Sequence, residues 1–220
     1  MFIDYYGALN SDGVIGYNLF SHNVVNLDFD RRTLTVSDTL PSSAIQSKAV
    51  DIKDRDGLAF IELILNPGPK QVKDAFAIDT GFGGTAIITA SSARADSLPG
   101  NLEQIGSGRM GGTGSGTIEV TKVRIPTLWI GNSWINDVPI DVQQNEPRSF
   151  KTWNIIGTDL LRRMNVTWDI PNHKIYFAKN HHFSDAFEVP KNPRKRLPWL
   201  VGSLALVVMS AIWVLRRRSK

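Results

Sequence analysis

Short apolar runs separated by Gly, Pro or Asn dominate the middle of the chain and predict β-strands. They lie at residues 60–65, 74–78, 85–89, 117–123 and 127–130. A short helix is expected within residues 90–104. Regularly spaced short strands with turn residues between them are typical of barrels and sandwiches. The pattern therefore predicts an all-β fold with short helices over residues 51–180.

Two segments far apart in the chain repeat one pattern. Residues 14–36 resemble residues 155–177 when the two are aligned at an offset of 141. The identical pairs are Ile15/Ile156, Gly16/Gly157, Leu19/Leu160, Val25/Val166 and Asp28/Asp169. Each copy predicts an apolar strand ending at a glycine, a short helix capped by Asn18 or Asp159, and a hairpin. The repeat indicates either two related lobes or a strand–helix–hairpin unit used twice.

Composition narrows the class of protein. The chain is 42% hydrophobic and 21% charged, which is typical of a globular protein and excludes a disordered one. It has no cysteine, so disulfides, a thiolate nucleophile and a Cys-ligated zinc site are excluded. Residues 191–220 contain eight basic and no acidic side chains, leaving 17 basic against 21 acidic in residues 1–190. The main body is therefore mildly acidic, and we expect no nucleic-acid partner.

The C-terminal region predicts a membrane anchor. Residues 197–215 are uncharged, and as a helix they would span about 28 Å, close to the thickness of a bilayer core. Basic segments flank them at residues 181–196 and 216–220. A single-pass anchor in a lipid bilayer is expected, and a buried core helix is the alternative. Because four basic residues lie at each end of the span, the charge distribution does not predict on which side of the membrane the main body lies. Whether Met1 is the true start of the protein also stays open.

One triplet, Asp79-Thr80-Gly81, is the candidate for catalysis. It follows the apolar run 75–78, and a glycine-rich stretch comes later at residues 106–116. Ile155-Ile156-Gly157 then provides a second apolar strand that ends at a glycine. An Asp in a turn often only bonds to its own backbone, which is the alternative interpretation. In their order, these motifs resemble one lobe of the retropepsin-like and pepsin-like aspartic proteases, over residues 51–180.

The resemblance implies a role for each of these residues. Asp79 would be the catalytic acid/base, and Thr80 and Gly81 would support its loop, with Thr80 bonding to a partner loop. A mobile flap would contain Gly106, Gly108, Gly111, Gly112, Gly114 and Gly116. Ile155, Ile156 and Gly157 would form the strand behind the loop. The implied reaction is hydrolysis of a protein or peptide by a water that two carboxylates activate, without a metal or organic cofactor.

The second carboxylate is the open question. Asp-Thr-Gly occurs once, and the other triplet that begins Asp-Thr, at residues 38–40, ends in Leu. The repeat places the first copy's equivalent of Asp79 ahead of Met1. Residues 1–40 therefore read as the C-terminal end of a first lobe and residues 41–50 as a linker. Three readings stay open: a homodimer that pairs two copies of Asp79, part of a longer enzyme, and a non-catalytic membrane-tethered barrel that binds a peptide or protein.

The remaining motifs give weaker support for a functional site. Residues 106–111 match a dinucleotide-binding pattern, but no buried strand precedes them and no helix is predicted after them. His181 and His182 are adjacent, which does not suit a shared metal site. Phe82 follows the triplet directly, and we expect its bulk to crowd the active cleft.

Overall fold

The elements are those of a computed structural model, which describes residues 16–111, 117–146 and 152–188. The strands are β1 (Val24–Asp28), β2 (Thr33–Ser37), β3 (Val50–Asp51), β4 (Lys53–Arg55), β5 (Leu58–Asn66), β6 (Val72–Ile78), β7 (Ala86–Ile88), β8 (Glu103–Gly111), β9 (Thr117–Ile130), β10 (Ser133–Gln143), β11 (Ile155–Ile156), β12 (Met164–Asp169) and β13 (Lys174–Lys179). The helices are short: α1 (Ser42–Ile45), α2 (Ala90–Ala95), α3 (Thr158–Leu161) and a 3-10 helix at Tyr17–Phe20.

Six strands close into a barrel in the order β5-β6-β11-β7-β10-β9. The closure comes from β9, which pairs with β5 through residues 127–129 as well as with β10. Apolar side chains of these strands, such as Leu63, Phe76 and Ile140, are fully buried inside. The predicted all-β barrel with short helices is confirmed.

The two copies of the repeat lie side by side in a second sheet, ordered β2-β1-β12-β13-β3. In this sheet β1, from the first copy, pairs antiparallel with β12, from the second. The pairing sets Asn26 opposite Thr167, which are also equivalent residues of the repeat, 141 positions apart. A local two-fold axis therefore passes through this pair. The domain boundaries at residues 40, 50 and 180 stay predictions.

The helix caps expected from the sequence are wrong. Residue 157, a glycine, precedes α3, and no side chain caps the helix. Asp159 lies inside the first turn, where its Oδ1 accepts a hydrogen bond of 2.8 Å from Nε of Arg162. Asn18 likewise lies within the 3-10 helix. At α3 the cap is unnecessary, because backbone carbonyls of the loop after β6 accept from the first helical amides.

Arg163 fastens the segment that follows β13 to the barrel. Its side chain is almost fully buried, with a relative exposure of 1%. The guanidinium donates to the backbone carbonyls of His182, Asp185 and Ala186, and it lies 3.6 Å from the ring centroid of Phe187. Burial lowers the pKa of this group from its ordinary value.

Replacing Arg163 by Met should release this segment. The change keeps the length of the side chain and removes the donors to three carbonyls, so we expect a loss of about 2–3 kcal/mol in the free energy of unfolding. Hydrogen exchange at residues 182–187 should accelerate more than elsewhere. Arg162→Met is the control, because the Arg162 side chain forms an ion pair with Asp159 and is half-exposed. Equal effects of the two substitutions would contradict the assignment.

The pairing of β3 with β13 should depend on pH. Lys174 forms an ion pair with Asp51 across these strands, which lowers the pKa of Asp51 and raises the pKa of Lys174. The contribution of Asp51 is complete above pH 3.8 and is lost as pH falls through its folded pKa. That of Lys174 is complete below pH 10.5 and is lost as pH rises through its folded pKa. Exchange of the β3 amides should therefore increase at both extremes, corrected for intrinsic rates, and Asp51→Asn should remove the acid limb.

Within the residues described, no helix is long and apolar enough to cross a bilayer. The predicted span, residues 197–215, lies outside those ranges. The same holds for the basic segment 216–220 and for residues 189–196. The anchor therefore stays a prediction.

Candidate active site

The candidate catalytic loop begins where β6 ends. Asp79 follows the last residue of β6, and its amide donates to the carbonyl of Ile156 with a distance of 3.0 Å. Its Oδ1 accepts a hydrogen bond of 2.8 Å from the amide of Gly81. Asp79, Thr80 and Gly81 are all exposed. One carboxylate oxygen is thus oriented by the loop while the group as a whole reaches solvent.

The strand predicted to back the loop does lie behind it. β11 pairs parallel with β6, at Ile156 opposite Ile78, and antiparallel with β7. The amide of Gly157 then donates to the carbonyl of Thr85 at 2.9 Å. The structure therefore brings Ile155, Ile156 and Gly157 together with the Asp-Thr-Gly loop at one end of the barrel.

Thr158 ties α3 to the loop by two bonds. Its amide donates to the carbonyl of Phe82 at 2.7 Å, and its Oγ1 donates to the carbonyl of Thr80 at 2.7 Å. The sequence analysis did not single out this residue. A hydroxyl directly after the apolar-apolar-Gly run was the available signal, because such a side chain at a helix start can reach a neighbouring backbone. The expected bond of Thr80 to a partner loop stays a prediction.

Two glycines make room for Phe82. A Cβ atom on Gly157 would lie 2.3 Å from the carbonyl oxygen of Phe82 and 2.5 Å from that of Gly84. A Cβ on Gly84 would lie 2.3 Å from Cζ of the Phe82 ring. The half-buried ring is thus packed against Gly84 and Gly157. The crowding of the cleft by this ring stays a prediction.

The described part of the glycine-rich run, residues 106–111, lies in a strand that pairs with the next one. Gly106, Gly108 and Gly111 lie in β8, which pairs antiparallel with β9. Gly112, Gly114 and Gly116 lie outside the described residues. A Cβ at Gly106 or Gly108 would come no closer than 3.9 Å to its nearest neighbour, so packing does not require glycine there. Glycine instead increases the backbone freedom of the strand, as a flap requires.

A buried amide connects the strand behind the loop to its surroundings. Asn154 precedes β11 and is 5% exposed. Its Nδ2 donates to Oδ2 of Asp74 at 2.7 Å and to Oγ of Ser92 at 3.2 Å, while its Oδ1 accepts from the amide of Thr89 at 2.9 Å. It therefore links β6, α2 and β11. The sequence analysis missed it, although a polar residue next to the buried Ile-Ile pair is a recognisable signal.

The histidine pair lies apart from this loop and carries its own partners. The rings of His181 and His182 have centroids 3.8 Å apart. Nδ1 of His181 contacts Oδ1 of Asp30, and Nδ1 of His182 lies 2.8 Å from Oδ2 of Asp185. In the part of the chain that the structure describes, no group of three or more His, Cys, Asp or Glu side chains is placed to hold a metal ion.

Solved structures similar to this chain include two proteases. A retropepsin-like aspartic protease from Rickettsia conorii matches with 18% identity and a TM-score of 0.40, over 60% of this chain and 92% of its own. The EIAV protease, solved with an inhibitor, matches with 16% identity and a TM-score of 0.38, over 50% of this chain and 90% of its own. Basic 7S globulin from soybean matches with 11% identity and a TM-score of 0.37, over 82% of this chain. This chain spans 59% of the globulin.

These similarities are distant and concern the fold alone. No protein-family model matches the sequence. No characterised protein matches it significantly.

The arrangement presents a single carboxylate, that of Asp79, to solvent. Its loop is fixed from behind by β11 and α3, and the glycine-containing strand β8 pairs with β9 of the same barrel. A carboxylate so oriented can accept a proton from water. A second, protonated carboxyl close by would be needed to polarise a carbonyl group in the same step.

Proposed function

We propose that this chain contributes one lobe of an aspartic-type endopeptidase, with Asp79 as one of two catalytic carboxyl groups. The observation that supports the proposal most is the exposed Asp79 loop, which β6, β11 and α3 hold through backbone bonds and through Thr158. Thr80 and Gly81 support this loop. The hairpin of β8 and β9 is the flap over the substrate. The substrate is a protein or peptide.

The reaction needs no covalent intermediate. The ionised carboxylate removes a proton from water as the water oxygen attacks the carbonyl carbon of the peptide bond. The protonated carboxyl of the other lobe donates its proton to the carbonyl oxygen. The tetrahedral diol then collapses: one of its hydroxyls returns a proton to the ionised carboxylate of the other lobe, the C–N bond breaks, and the nitrogen takes the proton that the first carboxylate had removed from water. This leaves a free acid and a free amine.

A peptide-cleavage assay tests this proposal. The tagged chain is recovered from its source cells under mild conditions, with whatever is assembled on it, and incubated with a defined peptide mixture over a range of pH. We expect cleavage of internal peptide bonds that a statine-containing peptide inhibits, because its hydroxyl mimics the tetrahedral diol. Inhibition by a chelator or by a serine-directed reagent instead would overturn the assignment, and so would failure of the assembly to cleave any peptide.

One observation favours a non-catalytic alternative, a barrel that binds a peptide or protein. Asp-Thr-Gly occurs once in the sequence, and a lone carboxylate does not complete the acid–base pair. In a binding module, Asp79→Asn would leave capture of a partner unchanged. In the peptidase, the same substitution removes cleavage, and so the two functions separate in one variant.

The anchor is a second part of the proposal and rests on the sequence. Residues 197–215 form a single membrane-spanning helix that holds the lobe at a bilayer, with its orientation open. Extraction of membranes at alkaline pH should leave the full chain in the pellet. Replacing Leu206 and Val207 by Arg should move it to the supernatant. A full chain that is extracted without these changes would contradict the anchor.

A further inference from the structure

One apolar stripe crosses four strands of the five-stranded sheet. The register sets Ile175 and Phe177 of β13 beside β12, β12 beside β1, and β1 beside β2. The apolar side chains that share this face are Ile175, Phe177, Val166, Trp168, Val25, Leu27, Leu34 and Val36. They begin under the barrel and continue beyond it.

The stripe is buried at one end and bare at the other. Ile175 and Phe177 of β13 are 0% and 2% exposed, whereas Leu34 and Val36 of β2 are 56% and 42% exposed. These two pairs are equivalent in the repeat. Leu19 is a third case: it is 69% exposed, while its equivalent, Leu160, is 0% exposed. At each of these positions the second copy packs under the barrel, and the first copy has nothing over it among the described residues.

The edge of the sheet shows the same asymmetry. β3 pairs with β13 through Asp51 opposite Lys174 and Val50 opposite Ile175. The residues of β2 equivalent to Lys174 and Ile175 are Thr33 and Leu34, and β2 is the outer strand of the described sheet. A sixth strand opposite Thr33 and Leu34 would restore the symmetry about the axis through Asn26 and Thr167.

We infer that β2 and the apolar side chains of Leu19, Leu34 and Val36 form a docking surface for a second barrel lobe. We call these residues the lobe-docking surface. Its occupant is a polypeptide with the strand order of β3 to β10 and without a terminal hairpin of its own, because β1 and β2 already fill that place. The lobe adds a strand antiparallel to β2 and covers the bare half of the stripe. The surface stands on the repeat and on burial, and only the further step, that this lobe brings the twin of Asp79, rests on the proposed function.

A second copy of this chain fits the surface poorly. Placed about the axis through Asn26 and Thr167, it would set its own β12 and β13 where β1 and β2 lie. If the two copies were joined instead through their β2 edges, the two-fold axis relating them would lie two strand spacings, about 10 Å, from the local axis between β1 and β12. The symmetry image of Asp79 would then shift by about 19 Å from its place about the local axis, too far for two carboxylates to share a proton.

Site-specific photo-crosslinking tests the surface. A benzophenone amino acid replaces Leu34 in the tagged full chain, expressed in its source cells, and mass spectrometry reads the crosslinked peptide. We expect a polypeptide that contains an apolar strand followed by an equivalent of Asp79-Thr80-Gly81. The same probe at Leu58, which is 37% exposed on β5, is the control and should not capture it. Crosslinks to residues 16–188 of a second copy, to a polypeptide of another kind, or to nothing would each overturn the inference.

A charge variant separates docking from folding. With the probe at Leu19, the double substitution Leu34→Arg and Val36→Arg should reduce the crosslinked product at least tenfold. Because both side chains are exposed, Tm of the isolated chain should change by about 2 °C or less. Unchanged crosslinking would overturn the surface. A recovered two-lobe assembly that cleaves no peptide would contradict the proposed function and leave the surface intact, whereas undiminished assembly activity in the double variant would contradict the surface alone.

Discussion

Asp79→Asn should lower kcat/KM for peptide cleavage by about a thousand-fold, the range that loss of a positioned general base produces. The substitution preserves the shape of the side chain. The amide of Gly81, which donates at 2.8 Å to Oδ1 of Asp79, still finds an oxygen acceptor in the new carboxamide. The loop should therefore keep its conformation and Tm should stay within about 2 °C of the parent, while the group that accepts the water proton is lost. Initial rates with one fixed peptide, together with thermal unfolding, measure both.

Asp38→Asn is the matched control for this variant. Asp38 also precedes a threonine and is exposed, and it accepts a hydrogen bond of 3.0 Å from Asn23, far along the chain from the candidate loop. Its replacement should leave kcat/KM unchanged. A parallel loss of activity in both variants, or full activity of Asp79→Asn, would remove Asp79 from the chemistry.

Gly157→Ala should lower the free energy of unfolding by about 3 kcal/mol, a fall in Tm of roughly 6–12 °C. The new methyl group would lie 2.3 Å from the carbonyl oxygen of Phe82 and 2.5 Å from that of Gly84. Both contacts are with backbone, so a rotamer change does not relieve them. The loop must move, and the bond of 2.7 Å from Oγ1 of Thr158 to the carbonyl of Thr80 is strained with it. Calorimetry measures the stability, and the cleavage assay measures the effect on the site.

Two further variants isolate the cause of this effect. Gly108→Ala places a Cβ 3.9 Å from Cγ2 of Val120, an ordinary contact, so stability should stay the same or rise by up to about 1 kcal/mol. Phe82→Ala removes the ring but keeps the carbonyl, and it should fail to rescue Gly157→Ala. Rescue by Phe82→Ala would show that the ring, and not the backbone, excludes a side chain at residue 157.

The sequence predicts the barrel and the place of the loop well, for a physical reason. Short apolar runs bounded by Gly, Pro or Asn report buried strands, and this held for β5, β6, β7 and β9, whereas β10 was not predicted. The Asp-Thr-Gly motif follows β6 and the Ile-Ile-Gly motif ends β11, and at both places a glycine stands where the chain leaves the strand. Their meeting at one end of the barrel follows from the parallel pairing of β6 with β11.

Features that depend on tertiary packing were not predictable in this way. Arg162 and Arg163 are adjacent and identical in type, yet only Arg163 is buried, because the turn after α3 points it at the carbonyls of residues 182–186. The cap expected at Asp159 failed because carbonyls of a distant loop satisfy the first amides of α3. Closure of the barrel by β5 and β9 joins residues some sixty positions apart, which local periodicity does not encode.

The pair Asn26 and Thr167, at the centre of the five-stranded sheet, shows that the two copies of the repeat have diverged. A residue on an exact two-fold axis meets its own copy, so a symmetric pair of lobes would place Asn beside Asn or Thr beside Thr. Here two unlike side chains meet, and the Thr167 hydroxyl donates to the side-chain carbonyl oxygen of Asn26 at 2.8 Å. The two copies of the repeat therefore differ at the position nearest the local axis, where an exactly repeated sequence would pair a residue with its own copy.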